Sequence, residues 1–373
     1  MGDEKHINTL YKLITGIHRS RDEYLWEWIN TWNGQGSIWL VFDDKRIADD
    51  QLIAQYSLIP TPLSFFGKKF VAGKTENCMS HPDIRGTGVY FPHEKKYFEL
   101  AKNRFKVFFT TAGNVAKGAP GRVREKLGYR AFDDWEIYSV WIYGLGLRQK
   151  LLSMIMPHIN NNKFIGRILS YFLELLIRMF YHQTEFPLTE QFRIFNDKNV
   201  PLSHLEKLWM SNKTIYGITV ERTAQYLTWR LKDNPYNNHN YFCYYENDVL
   251  KGYLVVVSDL KVFYIVDIFA DNKDERIFKL ILKGIREYAY QKGIIRVQCS
   301  TIKRSRFLPG ILKSAGFVNF KELLGFQKRV KPKQLFVYLP DEIKKPQNSW
   351  DPRNWYVTDL IKEGRPYLDK SND

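Results

Sequence analysis

Four residues in the first third of the chain have the types and spacing to hold a phosphate. Arg85-Gly86-Thr87-Gly88 forms a turn after the strand-like run Thr75-Glu76-Asn77-Cys78-Met79-Ser80. A helix-like run follows, with Tyr97, Phe98, Leu100 and Ala101 on its apolar side. Such a turn exposes backbone N–H groups at a helix N-terminus, where the helix dipole favours an anion. The glycines let a ligand come close to the backbone, and Arg85 adds charge. Alone, the turn reads equally well as an ordinary glycine-containing helix start. It is neither the Gly-x-Gly-x-x-Gly dinucleotide fingerprint nor a loop ending in Gly-Lys-Ser/Thr. Two nucleotide-binding classes therefore drop out.

The turn needs a sheet and a helix to position it, and the apolar periodicity supplies both. Residues 6–32 read as helical, 37–42 and 51–60 as strands, 60–62 as a loop and 65–70 as a turn into a further strand. Residues 74–80 read as a strand that stops at Pro82, 106–111 as a buried strand and 135–143 as a closing strand. The order then recurs. Helices at 201–208 and 220–231 precede a hairpin over 241–246 and 251–259 and a strand over 261–270. A helix over 277–292, a strand over 295–300 and a helix over 307–315 follow, with closing strands at 335–339 and 355–360. The expected fold class is α/β (α+β), as two tandem mixed-sheet domains. The expected boundaries are 1–145 for the first domain, 146–186 for a helical connector and 187–373 for the second.

Composition bounds the partners. The 373 residues are 44% apolar and 16% aromatic, with a mean hydropathy of -0.39, which is a globular profile. Three scattered cysteines, Cys78, Cys243 and Cys299, offer neither a zinc ribbon nor a disulfide framework. No metal is expected. The first ten residues lack an apolar core, so no secretory leader is expected and the protein reads as cytoplasmic. The greasiest stretch, 164–181, contains Arg167, Glu174 and Arg178 and reads as an amphipathic or buried helix rather than a span.

The net charge is +16. Residues 1–145 hold 20 basic and 17 acidic groups, 146–200 hold 7 and 4, and 201–373 hold 29 and 19. The excess lies mostly in the half without the glycine turn. It points to an anionic acceptor or to peripheral association with a membrane face. Basic clusters at 303–307 and 328–333 are compatible with phosphate contact, but no nucleic-acid-binding motif accompanies them. Nucleic acid is therefore not the expected partner.

The context of the turn carries a more specific signal. The run Met79-Ser80-His81-Pro82-Asp83-Ile84-Arg85-Gly86-Thr87-Gly88, followed by Lys126-Leu127-Gly128-Tyr129, resembles the GNAT N-acetyltransferase superfamily. It looks most like the tandem bacterial and archaeal members. The specific motifs lie between Glu76 and Tyr129; the rest of the resemblance is one of plan. It implies that Arg85, Gly86, Thr87 and Gly88 grip the pyrophosphate of acetyl-CoA. It implies that the strand at Cys78, Met79 and Ser80 pairs with the pantetheine arm, and that Asn114 contacts that arm too. Lys126-Leu127-Gly128-Tyr129 would be a structural helix end.

The implied reaction is transfer of acetyl to a primary amine of a small acceptor, with an amino sugar as the family-level expectation. It needs a base to remove the amine proton. Glu76 is the candidate, since several family members keep a carboxylate there; strand alternation would put it on one face with Cys78 and Ser80. A solvated edge glutamate is the plain alternative. His81 titrates in the right range but lies in the His-Pro turn that the resemblance treats as structural.

Two departures stand out. Arg124 occupies the place where many members have a tyrosine that protonates the leaving thiolate. Asn114 stands further from the Lys-Leu-Gly end than the family pattern implies. In the second half, Asp271, Asp274 and Glu275 stand where phosphates would sit, so that copy reads as degenerate. Asp267 is either a substrate-facing carboxylate or a buried, satisfied one. Two alternatives remain: a FemAB-like aminoacyl or peptidyl transferase, which generally lacks such a loop, and a non-catalytic CoA-binding or interaction module.

Overall fold

The computed structural model describes residues 3–47, 50–113, 119–142, 151–152, 156, 163–180, 190–319, 333–344, 348–362 and 364–365. It is a mixed α/β fold. The first half runs α1 (Glu4–Thr15), α2 (Arg21–Tyr24), β1 (Ser37–Phe42), β2 (Leu52–Phe65), β3 (Lys68–Thr75) and β4 (Met79–Ser80). It continues with α3 (Tyr90–Ala101), β5 (Val107–Gly113), α4 (Ala119–Lys126) and β6 (Arg130–Trp141). Helix α5 (Lys163–Phe180) follows, then β7 (Phe192–Asn196), α6 (Leu202–Asn212), β8 (Ile218–Val220), α7 (Ala224–Leu227), β9 (His239–Glu246) and β10 (Val249–Asp259). The chain closes with β11 (Val262–Ala270), α8 (Glu275–Gln291), β12 (Arg296–Ile302), α9 (Leu308–Ser314), β13 (Lys333–Tyr338) and α10 (Asp341–Lys344).

The two halves share one plan. Strands β1, β2 and β3 are antiparallel neighbours, and β3 runs parallel to β5 after the crossover helix α3. Strands β9, β10 and β11 repeat this, and β11 runs parallel to β12 after α8. The helical entries match as well. Both α2 and α7 continue into a single π-helical turn, Leu25–Ile29 and Thr228–Lys232. There Trp26 Nε1 donates to the Trp229 carbonyl at 2.7 Å, Trp229 Nε1 donates to the Trp26 carbonyl at 3.0 Å, and the rings stack at 5.1 Å. A reciprocal contact of this kind is what a two-fold relation between repeats produces.

The halves are joined by strand exchange. Strand β13 enters the first half between β5 and β6, and β6 in turn pairs with β12 of the second. One continuous sheet results, in the order β1-β2-β3-β5-β13-β6-β12-β11-β10-β9-β7. One core cluster likewise draws on both halves, from Ile7 to Ile361.

Three sequence expectations need correction. Residues 60–62 are not a loop: Pro60 and Pro62 lie inside the 14-residue β2. Their edge faces the gap between β1 and β8, where the Pro60 carbonyl accepts from Trp32 Nε1 and the Pro62 carbonyl from the Glu221 amide. No N–H is needed there, so proline is tolerated. Residues 74–80 are not one strand: β3 ends at Thr75, and Asn77 takes a left-handed φ of 46° before β4 resumes. Residues 355–360 form no closing strand beyond a single bridge from Trp355 to Ile218; the chain passes into a short 3-10 turn at Asp359–Ile361.

Candidate active site

The decisive local event is the break after β3. Strands β3 and β5 are in register only over Ala72–Lys74 and Val107–Phe109. Past Thr75 the chain bulges: the Glu76 amide donates to the Ser57 carbonyl at 3.1 Å, and Ser57 Oγ donates to the Glu76 carbonyl at 2.5 Å. Strand β4 then stays on β2, pairing with Ala54 and Gln55, while β5 runs on to Gly113. The two parallel strands thus part like a V. Thr110 Oγ1 donates to the Thr75 carbonyl at 3.0 Å where they separate. Among the described residues no strand pairs with the edge of β4 that faces away from β2.

Above the V lies the glycine turn. A 3-10 turn at Pro82–Ile84 leads to Gly86 and Gly88, with φ of 85° and 86°, and then to α3. A Cβ added at either glycine would meet nothing within 4 Å. The turn is exposed from Pro82 to Val89 apart from half-buried Ile84. The Arg85 and Thr87 amides donate within the turn, to the Pro82 and Ile84 carbonyls. Those of Gly86 and Gly88 meet no acceptor among the described residues. His81 anchors the turn: its Nε2 lies 3.1 Å from Asp50, and Arg46 bridges Asp50 at 2.7 Å and Asp83 at 3.0 Å. This is the structural role of the two considered for His81.

The bulge separates residues that strand alternation would have grouped. Lys74 and Glu76 form an ion pair, and the Glu76 carboxylate also lies 3.7 Å from Arg365. Arg365 continues the network to Asn77 at 2.7 Å and to Glu27 at 2.5 Å; Glu27 is held by Arg19 at 2.9 Å. Glu76 thus faces α1, α2 and the C-terminal segment. Cys78 instead joins the aromatic cluster of Tyr56, Phe98, Phe108 and Tyr129 under α3. The expected common face of Glu76, Cys78 and Ser80 is therefore corrected: one extra residue at a bulge reverses the alternation. Met79 is buried and Ser80 half-buried in β4. Asn114 lies outside the described residues.

Around Cys78 sits a polar cluster that sequence reasoning missed. Arg124 is buried and ion-paired to Glu94 of α3, and its guanidinium lies 5.6 Å from the Tyr129 ring centre. Burial disfavours its charge, but Cys78, Tyr129, Tyr90 and Tyr56 outweigh this and hold it more firmly protonated than usual. Burial pushes the Cys78 thiol up, against the pull of Arg124. Burial also raises Tyr56 and Tyr90 well above the ordinary phenol value. Both hydroxyls are buried without a partner of hydrogen-bonding geometry among the described residues. These are protonated donors beside the V. The only signal for them in the sequence was the arginine in the tyrosine's place.

One turn further along α3, His93 is buried against Tyr97, ring to ring at 4.9 Å. Burial lowers its pKa from 6.5 to about 4. Between these values the unfolded chain takes up a proton that the folded chain refuses, so stability falls as the pH drops through that window. Allowing for solvent screening, the loss is of order 1 kcal/mol. His93→Gln should flatten that part of the curve in urea titrations at pH 7 and pH 4.5; an unchanged pH slope would contradict it.

The second half has the same V, but the protein fills it. Strands β11 and β12 pair only over Val262–Ile265 and Arg296–Cys299. The segment 355–361 then enters the gap. Tyr356 donates to the Ile268 carbonyl, Thr358 Oγ1 to Asp267 at 2.8 Å, and Thr301 Oγ1 to the Val357 carbonyl at 2.7 Å. Tyr216 occupies both backbone groups of Ala270, at 2.5 and 3.1 Å. Asp267 is buried and satisfied: Arg222 pairs with it through two bonds of 2.9 Å, and Tyr253 donates at 2.8 Å. That is the plain reading of this residue. In the turn after β11, the Asn272 amide is taken by Asn212 and the Arg276 amide by Asp274. Both amides are thus bonded to the chain's own side chains.

The sequence matches no family model and no curated protein. Solved structures do match in fold. A probable N-acyltransferase from Enterococcus faecalis superposes with a TM-score of 0.56 at 11% identity, covering 91% of this chain and 70% of that one. A tandem GNAT protein from the clavulanic acid biosynthesis pathway gives 0.50 at 9% identity, covering 90% and 95%. Saccharomyces cerevisiae N-myristoyltransferase, solved with myristoyl-CoA and inhibitors, gives 0.51 at 11% identity, covering 90% and 77%. The chain has the fold of the GNAT acyltransferases. It has that fold in tandem, with two GNAT-type units in one sheet. Among the described residues no cluster of side chains is suited to a metal, and no helix is long and apolar enough to cross a membrane.

Proposed function

We propose that this protein transfers acetyl from acetyl-CoA to a primary amine of a small acceptor, an amino sugar being the favoured class. Residues 1–145 would bind the cofactor and 187–373 would form the second, non-binding copy, with the cytoplasm as the site of reaction. One observation carries the reading: the V between β4 and β5 opens directly under a glycine turn whose Gly86 and Gly88 amides meet no acceptor among the described residues, while its counterpart in the second half is filled. In this reading Arg85, Gly86, Thr87 and Gly88 take the pyrophosphate, and Cys78, Met79 and Ser80 line the pantetheine arm with their backbone. A strand N–H can then stabilise the thioester oxyanion.

Glu76 is the proposed acceptor of the amine proton, through water, on the side of α1 and α2. Tyr56 and Tyr90 are the proposed donors to the departing thiolate, in place of the tyrosine that Arg124 replaces. Glu76→Gln should cut kcat roughly 10²-fold, the low end for a general base because its charge is already shared with Lys74 and Arg365. Acetyl-CoA affinity should hold, and the acidic limb of the pH–rate profile should vanish. Wild-type turnover in this variant would remove Glu76 from the mechanism. A binding-only module is the second reading, favoured by the locked Arg124–Glu94 pair. Calorimetry showing acetyl-CoA binding, with no turnover over a panel of amines, would decide for it.

A further inference from the structure

Helix α5 spans Lys163–Phe180, 18 residues or about 27 Å. Gly166 and Ser170 are buried, yet Phe164 is 74% exposed and Ile168 55%. Ile165, Leu169, Tyr171, Phe172 and Leu175 are exposed with them. At about 100° per residue these seven positions share one continuous arc of the helix. Positions 163, 167, 174 and 178, which carry Lys, Arg, Glu and Arg, fall together in a narrower sector along one edge of that arc, and Gly166 and Ser170 lie opposite it. Soluble surfaces rarely expose so long an apolar strip.

Charge selects the occupant. Helix α5 itself carries three basic positions, 163, 167 and 178, against the single acid Glu174. A second copy of this +16 chain would bring like charge to like at that face. An anionic surface would gain from both the apolar strip and the basic flank. Length and charge exclude a span; they suit a helix lying in the interface plane, apolar side down, with its basic residues at headgroup level. We infer that α5 docks the protein on a membrane surface rich in anionic lipid. This is independent of the acetyl-transfer reading.

Flotation of the full chain with phosphatidylcholine vesicles, with and without phosphatidylglycerol, tests it. The wild type should float with the anionic vesicles and be released by high salt. Phe164→Ser/Ile168→Ser/Phe172→Ser should lower vesicle partition at least tenfold with an unchanged melting temperature, these side chains being exposed already. Arg167→Glu, which removes no apolar surface, should lower it several-fold and serves if the triple variant misfolds. Wild-type protein that stays unbound with both lipids overturns the inference, as does a folded triple variant that floats like the wild type. A dimer in sedimentation velocity that the triple variant makes monomeric, without flotation, would assign the face to a second copy instead.

Discussion

Gly88→Glu should reduce acetyl-CoA affinity more than a hundredfold while leaving the fold intact. The substitution projects a side chain into open space, since a Cβ at Gly88 meets nothing within 4 Å. It therefore breaks no packing. Its costs are local: a non-glycine residue at φ of 86° is strained by roughly 1–2 kcal/mol, and a carboxylate would stand where the pyrophosphate is proposed to rest. Gly88→Ala carries the strain without the charge and should lose much less affinity. Calorimetry on the three proteins separates the terms, starting from a wild-type affinity expected in the micromolar range. Undiminished binding by Gly88→Glu would falsify the assignment of the loop.

Arg222→Met should destabilise the whole protein by about 3–5 kcal/mol, the range for stranding one partner of a buried ion pair. Arg222 and Asp267 are fully buried and joined by two bonds of 2.9 Å. The arginine also stacks among Trp209, Phe269 and Tyr356, so methionine keeps part of the packing and loses the charge. Tyr253 and Thr358 still donate to Asp267, but two hydrogen bonds do not neutralise a buried carboxylate. Urea denaturation followed by both fluorescence and circular dichroism provides the measurement. Strand exchange predicts a further result: the two signals should shift together, because β13 and β6 tie each half to the other. A midpoint within about 0.5 kcal/mol of wild type would show that the pair is dispensable. Acetyl-CoA stoichiometry should stay at one per chain, since the second V is also filled by Tyr216 and the segment 355–361.

The glycine turn, its helix and the strands on either side were legible from local signals. Glycines at positive φ, a 3.6-residue apolar period and short apolar runs are short-range properties, and the repeat of strand–strand–strand–helix–strand showed in both halves. Asp271, Asp274 and Glu275 likewise made the second turn read as unfit for phosphate by charge alone. What the order of residues could not disclose is everything set by long-range pairing. Pro60 and Pro62 looked like a loop because their tolerance depends on which edge of β2 lies between partners. Residues 355–360 looked like a strand because their apolar run does not say that this segment wedges between β11 and β12. The bulge at Asn77 turned Cys78 from Glu76 toward Tyr90 and Arg124, and Arg365 came to Glu76 from nearly 300 residues away. The sequence by itself determined the tandem plan and the candidate phosphate turn, since both rest on neighbours in the chain. Which V the segment 355–361 fills, and which side chains line the other, became visible only in the folded chain, since both depend on backbone groups finding partners across the sheet.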